Sequence, residues 1–335
     1  MDLDTFFTTL YVFVDDWYKV FVMPYKPKTA GAPPQMSDSE VLTAAVAGQW
    51  RVGVPWRSER GLVRYLRAHG RGWFPMMLER SAFNERVRSL WGAFILLQQA
   101  VASLLQSEAD AYECVDCVPL PAMSNSQALN RRGHWLWEST TGHGGTSGGF
   151  FTGDHVLAVV SASGAVTGWL LANAHIQDRW LLELVLSSRA GQPQLALPDA
   201  PPRKGTLSLP VGHLGPVQAA GHWSPQPYVA DAGYNGQHWV THWQTTYQAT
   251  VITPPQPNEP QAWPPDQRTW FNGRRQVIET VFACLDTVFG LKQLNAHSRW
   301  GQYTRVAAKM AACNIGQFIN RWVGRPRLAL ATLIC

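Results

Sequence analysis

Three acidic residues stand where a carboxylate could take part in metal chemistry. Asp116 interrupts an apolar strand pattern, and Asp231 follows a second apolar run just before a glycine-containing turn. Glu279 lies in an apolar helical pattern that also carries Arg275, one helical turn earlier. A carboxylate inside a strand is unfavourable unless it is paired or bound to a metal, so Asp116 is the most unusual of the three.

Each acid taken singly has a plainer interpretation. Asp116 would be a strand carboxylate satisfied by a neighbour, Asp231 a turn former, and Glu279 the helical partner of Arg275. Taken together, on elements of one mixed domain, they predict an oxygen-ligand site for a hard cation. Mg²⁺ uses few carboxylates and keeps its other positions for water and phosphate. Two such ions about 4 Å apart can activate an attacking oxygen and stabilise the leaving one.

The elements that must position these acids follow from the spacing of apolar residues and from turn signals. The first quarter of the chain predicts helices, and one of them starts behind the capping-box pattern of Ser37 and Glu40. A long helix opens at Ser81, and strands then alternate with helices. The predicted helices cover about 38–49, 57–69, 81–106, 178–188, 270–291 and 301–323, and the strands about 112–118, 155–161, 165–171, 227–230 and 249–252.

This order predicts an α/β protein with a mixed sheet flanked by helices. We expect a helical region over 1–108 and a catalytic domain over 109–335, interrupted by a Pro/Gly-rich insertion or loop at about 190–227. In the predicted sheet, Asp116 and Asp231 stand near strand ends and face a helix that carries Glu279.

Charge is unevenly distributed along the 335 residues, although the net charge is only +5. The first basic stretch, 51–90, carries nine arginines and three glutamates; the second, 267–335, has a net charge of +8. One such stretch is more often a solvated helix face. Two of them around a mildly acidic middle favour a nucleic-acid surface beside an acidic catalytic centre.

An arginine stripe lies in the first basic stretch. Arg60, Arg64, Arg67 and Arg71 recur at spacings of three and four, which places them on one face of a helix. Arginine contacts phosphate through two parallel hydrogen bonds, which lysine cannot do. The helical region is therefore predicted to bind DNA.

Composition excludes several other classes of protein. Apolar residues make up 46% of the chain and charged residues 15%, which excludes an intrinsically disordered chain. Acidic residues interrupt the apolar N-terminus, so it predicts a buried amphipathic helix rather than a signal peptide or a membrane span. Five widely spaced cysteines form no disulfide framework, which favours a reducing cytoplasm.

The order and spacing of these motifs resemble bacterial insertion-sequence transposases of the DDE class, whose catalytic domain has an RNase H-like fold. The stretch from Arg274 to Phe282 is similar to the helix that carries the family's final glutamate. Val229 to Tyr234 resembles the segment of the second aspartate, and Tyr112 to Pro119 that of the first. Further similar segments are Ser81 to Leu90, Gly148 to Val160, Asn173 to Arg179, Leu294 to Ser298, Arg305 to Lys309 and Asn314 to Asn320.

The resemblance implies that Asp116, Asp231 and Glu279 are a catalytic triad holding two Mg²⁺ or Mn²⁺ ions. The implied substrate is double-stranded DNA, both the terminal inverted repeats of an element and its target. Synapsis of two ends implies a homodimer associated with the nucleoid. Hydrolysis would free a 3′-OH that then attacks target DNA.

The resemblance also implies DNA contacts, and here the sequence departs from the family. Related families often place a Tyr three residues before the Arg and a Lys seven after the Glu, where this chain has Asn272 and Asp286. Arg275 keeps its place, and Lys292 is the substitute for the absent lysine. The predicted DNA-contacting residues are Arg60, Arg64, Arg67, Arg131, Arg132, Arg274, Arg275 and Lys292.

Other functions stay open at this point. The chain could be a repurposed DNA-binding protein that no longer cleaves, or an RNase H-like nuclease. Cys114 and Cys117 have the spacing of half a zinc site, but no second pair accompanies them. Strand alternation places Cys114 on the face of Asp116 and Cys117 on the other, which favours core thiols. Asp178 is interpreted as a helix N-cap.

Overall fold

The computed structural model describes residues 1–26, 34–106, 110–123, 140–143, 149–190, 227–255, 263–296 and 298–335. They form two compact units, which we call the helical unit (1–101 with 283–335) and the sheet unit (102–282). This division differs from the predicted boundary after residue 108. The chain returns to the helical unit at its C-terminus because the helix at 299–322 packs on those at 38–47 and 80–89. Almost all of the predicted insertion lies outside the described residues.

The helical unit starts with two helices whose first turns are capped by side chains. Asp2 accepts a hydrogen bond from the backbone of Thr5, and the predicted capping box of Ser37 and Glu40 is confirmed. The helices of this unit are α1 (Leu3–Phe21), α2 (Asp38–Ala47), α3 (Glu59–His69), α4 (Arg80–Ser89), the first part of α5 (Trp91–Leu105) and, near the C-terminus, α9 (Arg299–Trp322). The N-terminal helix buries one apolar face, as its pattern predicts.

The prediction of a single helix over 81–106 is wrong, because the chain bends by 60° between α4 and α5. The backbone N–H of Leu90 donates to the carbonyls of Arg86 and Val87, which closes α4. The glycine next to the bend, Gly92, lies in the first turn of α5, and a single glycine inside a helical pattern does not by itself predict a break. Among the described helices none is by itself long and apolar enough to cross a membrane, and only the bent pair α4 and α5, taken together, meets that test.

The sheet unit is a mixed α/β structure in which helices flank a six-stranded mixed sheet. Its elements are β1 (Glu113–Met123), β2 (Thr140–His143), β3 (Phe150–Ser161), β4 (Val166–Asn173), α6 (Asp178–Arg189), β5 (Tyr228–Ala230), α7 (Gln237–Tyr247), β6 (Val251–Ile252) and most of α8 (Pro265–Thr287). The strand order is β2-β3-β1-β5-β6, and β4 also pairs with β3. Strands β1, β5 and β6 are parallel, whereas β3 runs antiparallel to its neighbours.

Strand β1 continues through two prolines that were predicted to end it. The backbone N–H of Glu113 points towards β5, where it donates to the carbonyl of Pro227. Alternation along the strand turns the nitrogens of Pro119 and Pro121 to that same side. Pairing with β5 stops at Val115, so the missing N–H groups remove no ladder hydrogen bond.

The chain has sixteen tryptophans, and four of them lie fully buried in the cores of the two units. Trp50 and Trp56 are fully buried in the helical unit, and Trp169 and Trp243 in the sheet unit. Large aromatic side chains contribute much buried apolar area per residue. These four side chains therefore pack the cores and are not accessible for stacking on a nucleic-acid base.

A buried ion pair ties β1 to the end of α6. The Glu113 carboxylate is 2% exposed and pairs with the guanidinium of Arg189. The hydroxyl of Thr167 donates to Glu113 Oε1 at 2.5 Å, and Arg189 Nη1 donates to the Tyr228 hydroxyl at 2.8 Å. Both charged groups are thus removed from water and hydrogen-bonded, so deleting either one is expected to lower the stability of the fold.

We expect Glu113→Ala to lower the free energy of unfolding by about 3–5 kcal/mol, because it removes the carboxylate that faces the buried Arg189 charge. The matched control is Lys19→Ala, which removes the exposed pair with Asp15 (2.6 Å) and should cost far less, because exposed ion pairs are screened by water. Urea denaturation followed by circular dichroism measures both. Equal losses in the two variants would contradict the structural role of the buried pair.

Candidate active site

The parallel pairing of β1 and β5 brings two of the predicted acids side by side. Cys114 pairs with Val229, and Val115 pairs with Ala230. The next residue along each strand is an aspartate, Asp116 on β1 and Asp231 after β5. The two carboxylates therefore lie at neighbouring positions where the parallel ladder ends.

The Asp116 carboxylate is held by one helix residue and one backbone group. Its side chain is 19% exposed, and Arg275 Nη2 of α8 donates to Oδ2 at 2.8 Å. The backbone N–H of Cys117 donates to Oδ1 at 2.8 Å. Burial raises the pKa of Asp116 to about 6; Arg275 opposes the rise, and the charge of Asp231 adds to it. At neutral pH the group is ionised but unusually ready to take up a proton.

Asp231 is fixed by the turn that it starts. Its Oδ1 accepts a hydrogen bond from the backbone N–H of Gly233 at 2.8 Å. A Cβ at position 233 would come within 2.9 Å of that oxygen, so a side chain there would displace the Asp231 carboxylate. Arg179 Nε of α6 donates to the Gly233 carbonyl at 2.8 Å, which ties the turn to the neighbouring helix.

Glu279 lies one turn after Arg275 on α8, and its side chain is exposed. Residues four apart share a helix face, so Glu279 is displaced from Arg275 by about 6 Å along the axis. Within the described ranges, no three His, Cys, Asp or Glu side chains converge closely enough to hold a metal ion. The structure thus brings together Asp116 and Asp231 but does not assemble Glu279 with them.

Arg275 has one donor to spare. Its Nη2 pairs with Asp116, but its Nε is buried and has no hydrogen-bond acceptor among the described atoms. A buried donor without a partner is unfavourable, and an oxyanion of a substrate would satisfy it. The predicted phosphate contact of Arg275 stays a prediction, with this donor as its structural support.

Asp178, which the sequence analysis interpreted as a helix N-cap, and His155, which it did not single out, lie on the other face of the strand ends. Asp178 is not the N-cap of α6, since Gln177 holds that position. Its carboxylate interacts with the Cys117 thiol and lies 4.0 Å from His155 Nδ1. Burial raises the pKa of Asp178, and the charge of Asp231 raises it further. The sequence shows only an acidic residue in a predicted first helical turn, and acids are common there without any role in an active site.

The two thiols next to Asp116 behave as predicted. The Cys114 thiol donates to the Arg274 carbonyl on α8, and Cys117 lies 3.4 Å from the Tyr234 hydroxyl on the opposite face. Burial raises the pKa of Cys114 to about 12, so without a bound metal its thiol is protonated at neutral pH. All five cysteines of the chain are free.

The predicted DNA contacts lie in three settings. In the sheet unit, Arg274 is exposed, with its guanidinium 5.4 Å from the ring centre of Tyr112 and 5.5 Å from that of Trp270. In the helical unit, Lys292 pairs with Asp286 at 3.5 Å. The α3 arginines are exposed: Arg67 pairs with Glu79, and within the described part of the chain Arg60 and Arg64 have no ion-pair partner. Arg131 and Arg132 lie outside the described residues.

The raised pKa of Asp116 predicts a pH-dependent contribution to stability. The folded state binds this proton more tightly than the unfolded state does. The contribution is therefore complete below pH 3.8 and is lost as pH rises through about 6. Asp116→Asn lacks this titration. The free energy of unfolding of the variant, relative to wild type, should therefore rise by about 2–3 kcal/mol between about pH 4 and pH 7. Denaturation at several pH values tests this, and a difference that is constant with pH would contradict it.

Comparison with known proteins adds nothing to this geometry. No protein-family model, curated protein or solved structure matches the chain. Any functional conclusion therefore rests on the residues and their arrangement.

Proposed function

We propose that the chain is a DDE-type DNA transposase that hydrolyses phosphodiester bonds at the ends of an insertion sequence with Mg²⁺ and joins the freed 3′-OH to target DNA. The observation that carries the proposal is the adjacency of Asp116 and Asp231 at the ends of parallel strands. Helix α8 crosses this point and supplies Arg275 to the first of them. Two adjacent carboxyl groups next to a spare arginine donor suit a substrate made of phosphates and a divalent cation.

The strand order supports an RNase H-like catalytic domain. Both β2 and β4 pair with β3. When the short strand β2 is left out of the description, the strand order is β4-β3-β1-β5-β6, with antiparallel pairs on one side of β1 and parallel pairs on the other. An RNase H-like sheet has the same arrangement, with its first acid on the central strand. Asp116 occupies the central strand here.

The residues present fit a Mg²⁺ ion in part. Mg²⁺ is commonly bound through one or two carboxylates plus water and substrate phosphate, and Asp116 with Asp231 offers two oxygen donors. Both oxygens of Asp116 accept hydrogen bonds in the structure, one of them from Arg275. A cation at Asp116 therefore has to share this carboxylate with the guanidinium or replace it.

The division of work among the protein residues follows from these contacts. A bound Mg²⁺ would supply charge stabilisation to the attacking and leaving oxygens. Asp116 and Asp231 would hold it, and Arg275 would place its free Nε on a phosphate oxygen. In the proposal Glu279 completes the metal shell, which requires its exposed side chain to turn towards Asp116.

The exposure of Glu279 favours a second candidate, a DNA-binding protein that no longer cleaves. In that case the Asp116–Arg275 pair would be a structural ion pair, and no carboxylate would be needed for activity. Binding to DNA would persist without any Mg²⁺-dependent product. Cleavage therefore separates the two candidates.

The decisive assay incubates the purified chain with Mg²⁺ and a labelled duplex containing the DNA that flanks its coding region. Wild type should nick this duplex, and Asp116→Asn or Asp231→Asn should reduce the rate by at least about 100-fold, because each loses a metal ligand. Asp266→Asn, an exposed carboxylate at the start of α8, is the matched control and should keep the wild-type rate. Wild-type nicking by Asp116→Asn would refute the proposal.

Glu279→Gln tests the third position by itself. We expect it to lose activity as the two aspartate variants do, while its binding of the duplex stays unchanged. Gel-shift and nicking assays on the same preparation measure the two properties. If Glu279→Gln nicks DNA at the wild-type rate while Asp116→Asn is inactive, the active site consists of the two aspartates and does not include Glu279.

A further inference from the structure

The two basic stretches of the sequence meet inside the helical unit. Arg51 and Arg88 come from the first, and Arg305 and Lys309 from the second. Arg305 and Lys309 are one turn apart on α9 and so share a face. The backbone N–H of Arg51 donates to the carbonyl of Val288 at 2.8 Å, next to the Phe289 carbonyl that accepts from Lys309. Helix α4, which carries Arg88, packs on α9. Burial and, to a smaller extent, the charge of Arg88 lower the pKa of Arg305. We call these four residues the cation cluster.

Lys309 forms the buried floor of the cation cluster. The residue is 1% exposed, and its Nζ donates to the Phe289 carbonyl and to Gln49 Oε1 at 3.1 Å. Both acceptors are neutral, and within the described residues no carboxylate pairs with it. Burial, and then the charges of Arg51 and Arg305, hold its pKa well below the usual range of a lysine.

Arg305 is one turn before Lys309, and its hydrogen bonds go to backbone carbonyls. Its Nη1 donates to the carbonyl of Leu294 at 2.5 Å and to that of Asn295. Asn295 adopts a left-handed backbone conformation with φ of 49°, which asparagine tolerates better than most residues with a side chain. The side chain of Arg305 is 27% exposed, so it can still reach a ligand from solvent.

Only one carboxylate offsets the cluster among the described contacts. Glu59 Oε2 lies 3.9 Å from Arg305 Nη2, and the Asn84 amide donates to both Glu59 oxygens at 2.9 Å. The Arg51 guanidinium donates to the backbone carbonyl of Arg57, and the Arg57 guanidinium donates to that of Arg51 at 2.7 Å, so neither hydrogen bond involves an acid. Three half-buried guanidiniums beside the buried Lys309 thus face a single acid, and the like charges of the guanidiniums repel one another unless an anion joins them.

We infer that the cation cluster is a binding site for a phosphate group, with Arg51, Arg88 and Arg305 as the contacting residues and Lys309 beneath them. Guanidinium groups suit phosphate because they donate two parallel hydrogen bonds and stay charged when partly buried. The phosphate could belong to the backbone of DNA, and that choice rests on the proposed function. It could equally be a free phosphate, which would bind through the same contacts.

Titration calorimetry with inorganic phosphate at constant ionic strength tests the site without DNA or Mg²⁺. Arg88 is the best position to change because it forms no hydrogen bond or ion pair within the described part of the chain. Arg88→Gln should weaken phosphate binding about five- to tenfold by removing one nearby charge. Arg80→Gln is the control, since Arg80 is exposed at the other end of the same helix, about 12 Å away along its axis, and it should bind phosphate as wild type does.

Glu59→Gln gives a prediction of opposite sign. It removes the one competing carboxylate, and the new amide can still accept a hydrogen bond from Asn84, so phosphate should bind several-fold more tightly. Circular dichroism verifies that each variant is folded. Equal phosphate affinity in wild type, Arg88→Gln and Glu59→Gln would overturn the inference. Asp116→Asn should keep wild-type phosphate affinity, so loss of cleavage and loss of this site are separate results.

Salt dependence of DNA binding identifies the source of the phosphate. If the site takes a backbone phosphate, Arg88→Gln should reduce the slope of log K against log salt by about one, as expected for one lost phosphate contact. An unchanged slope, together with weaker binding of inorganic phosphate, assigns the site to a free phosphate. Either result supports the site, and no phosphate binding by wild type would reject it.

Discussion

The register of β1 against β5 is the constraint on which the candidate active site depends. Parallel pairing of Val115 with Ala230 leaves Asp116 and Asp231 as the next residues on adjacent strands. A shift by one residue would turn Asp116 away from α8 and towards the core of α6 and α7. Two acids placed this closely repel each other, and the raised pKa of Asp116 records that repulsion together with its burial. Arg275 offsets part of it, which is why α8 must cross the sheet at this point.

The two units differ in whether each buried charged residue has a partner of opposite sign. In the sheet unit every strongly buried charge described above has a partner of opposite sign, as Glu113 has in Arg189 and Asp116 in Arg275. In the helical unit Asp38 is likewise shared by Lys26 and Arg86, but Lys309 has only neutral acceptors. A protein keeps such an imbalance at a cost in stability. An anion arriving from outside would account for it.

Local features of the fold could be predicted from the sequence, because neighbours in the chain determine them. The capping box at Ser37, the hairpin around Gly164 and the strand that carries Asp116 all have short-range signals. The bend at Leu90 and the passage of β1 through Pro119 could not be predicted, since each depends on which partner lies beside the segment. The same holds for the site. The residue types indicated Asp116 and Asp231, whereas Asp178 meets Cys117 only through tertiary packing.

Calorimetric titration with Mn²⁺ shows whether Asp116 and Asp231 together hold a divalent cation. Mn²⁺ prefers the same oxygen ligands as Mg²⁺. We expect saturable binding to wild type that is lost in both Asp116→Asn and Asp231→Asn and kept in Asp266→Asn. Binding of equal strength in wild type and the two site variants would show that the paired aspartates are not a metal site.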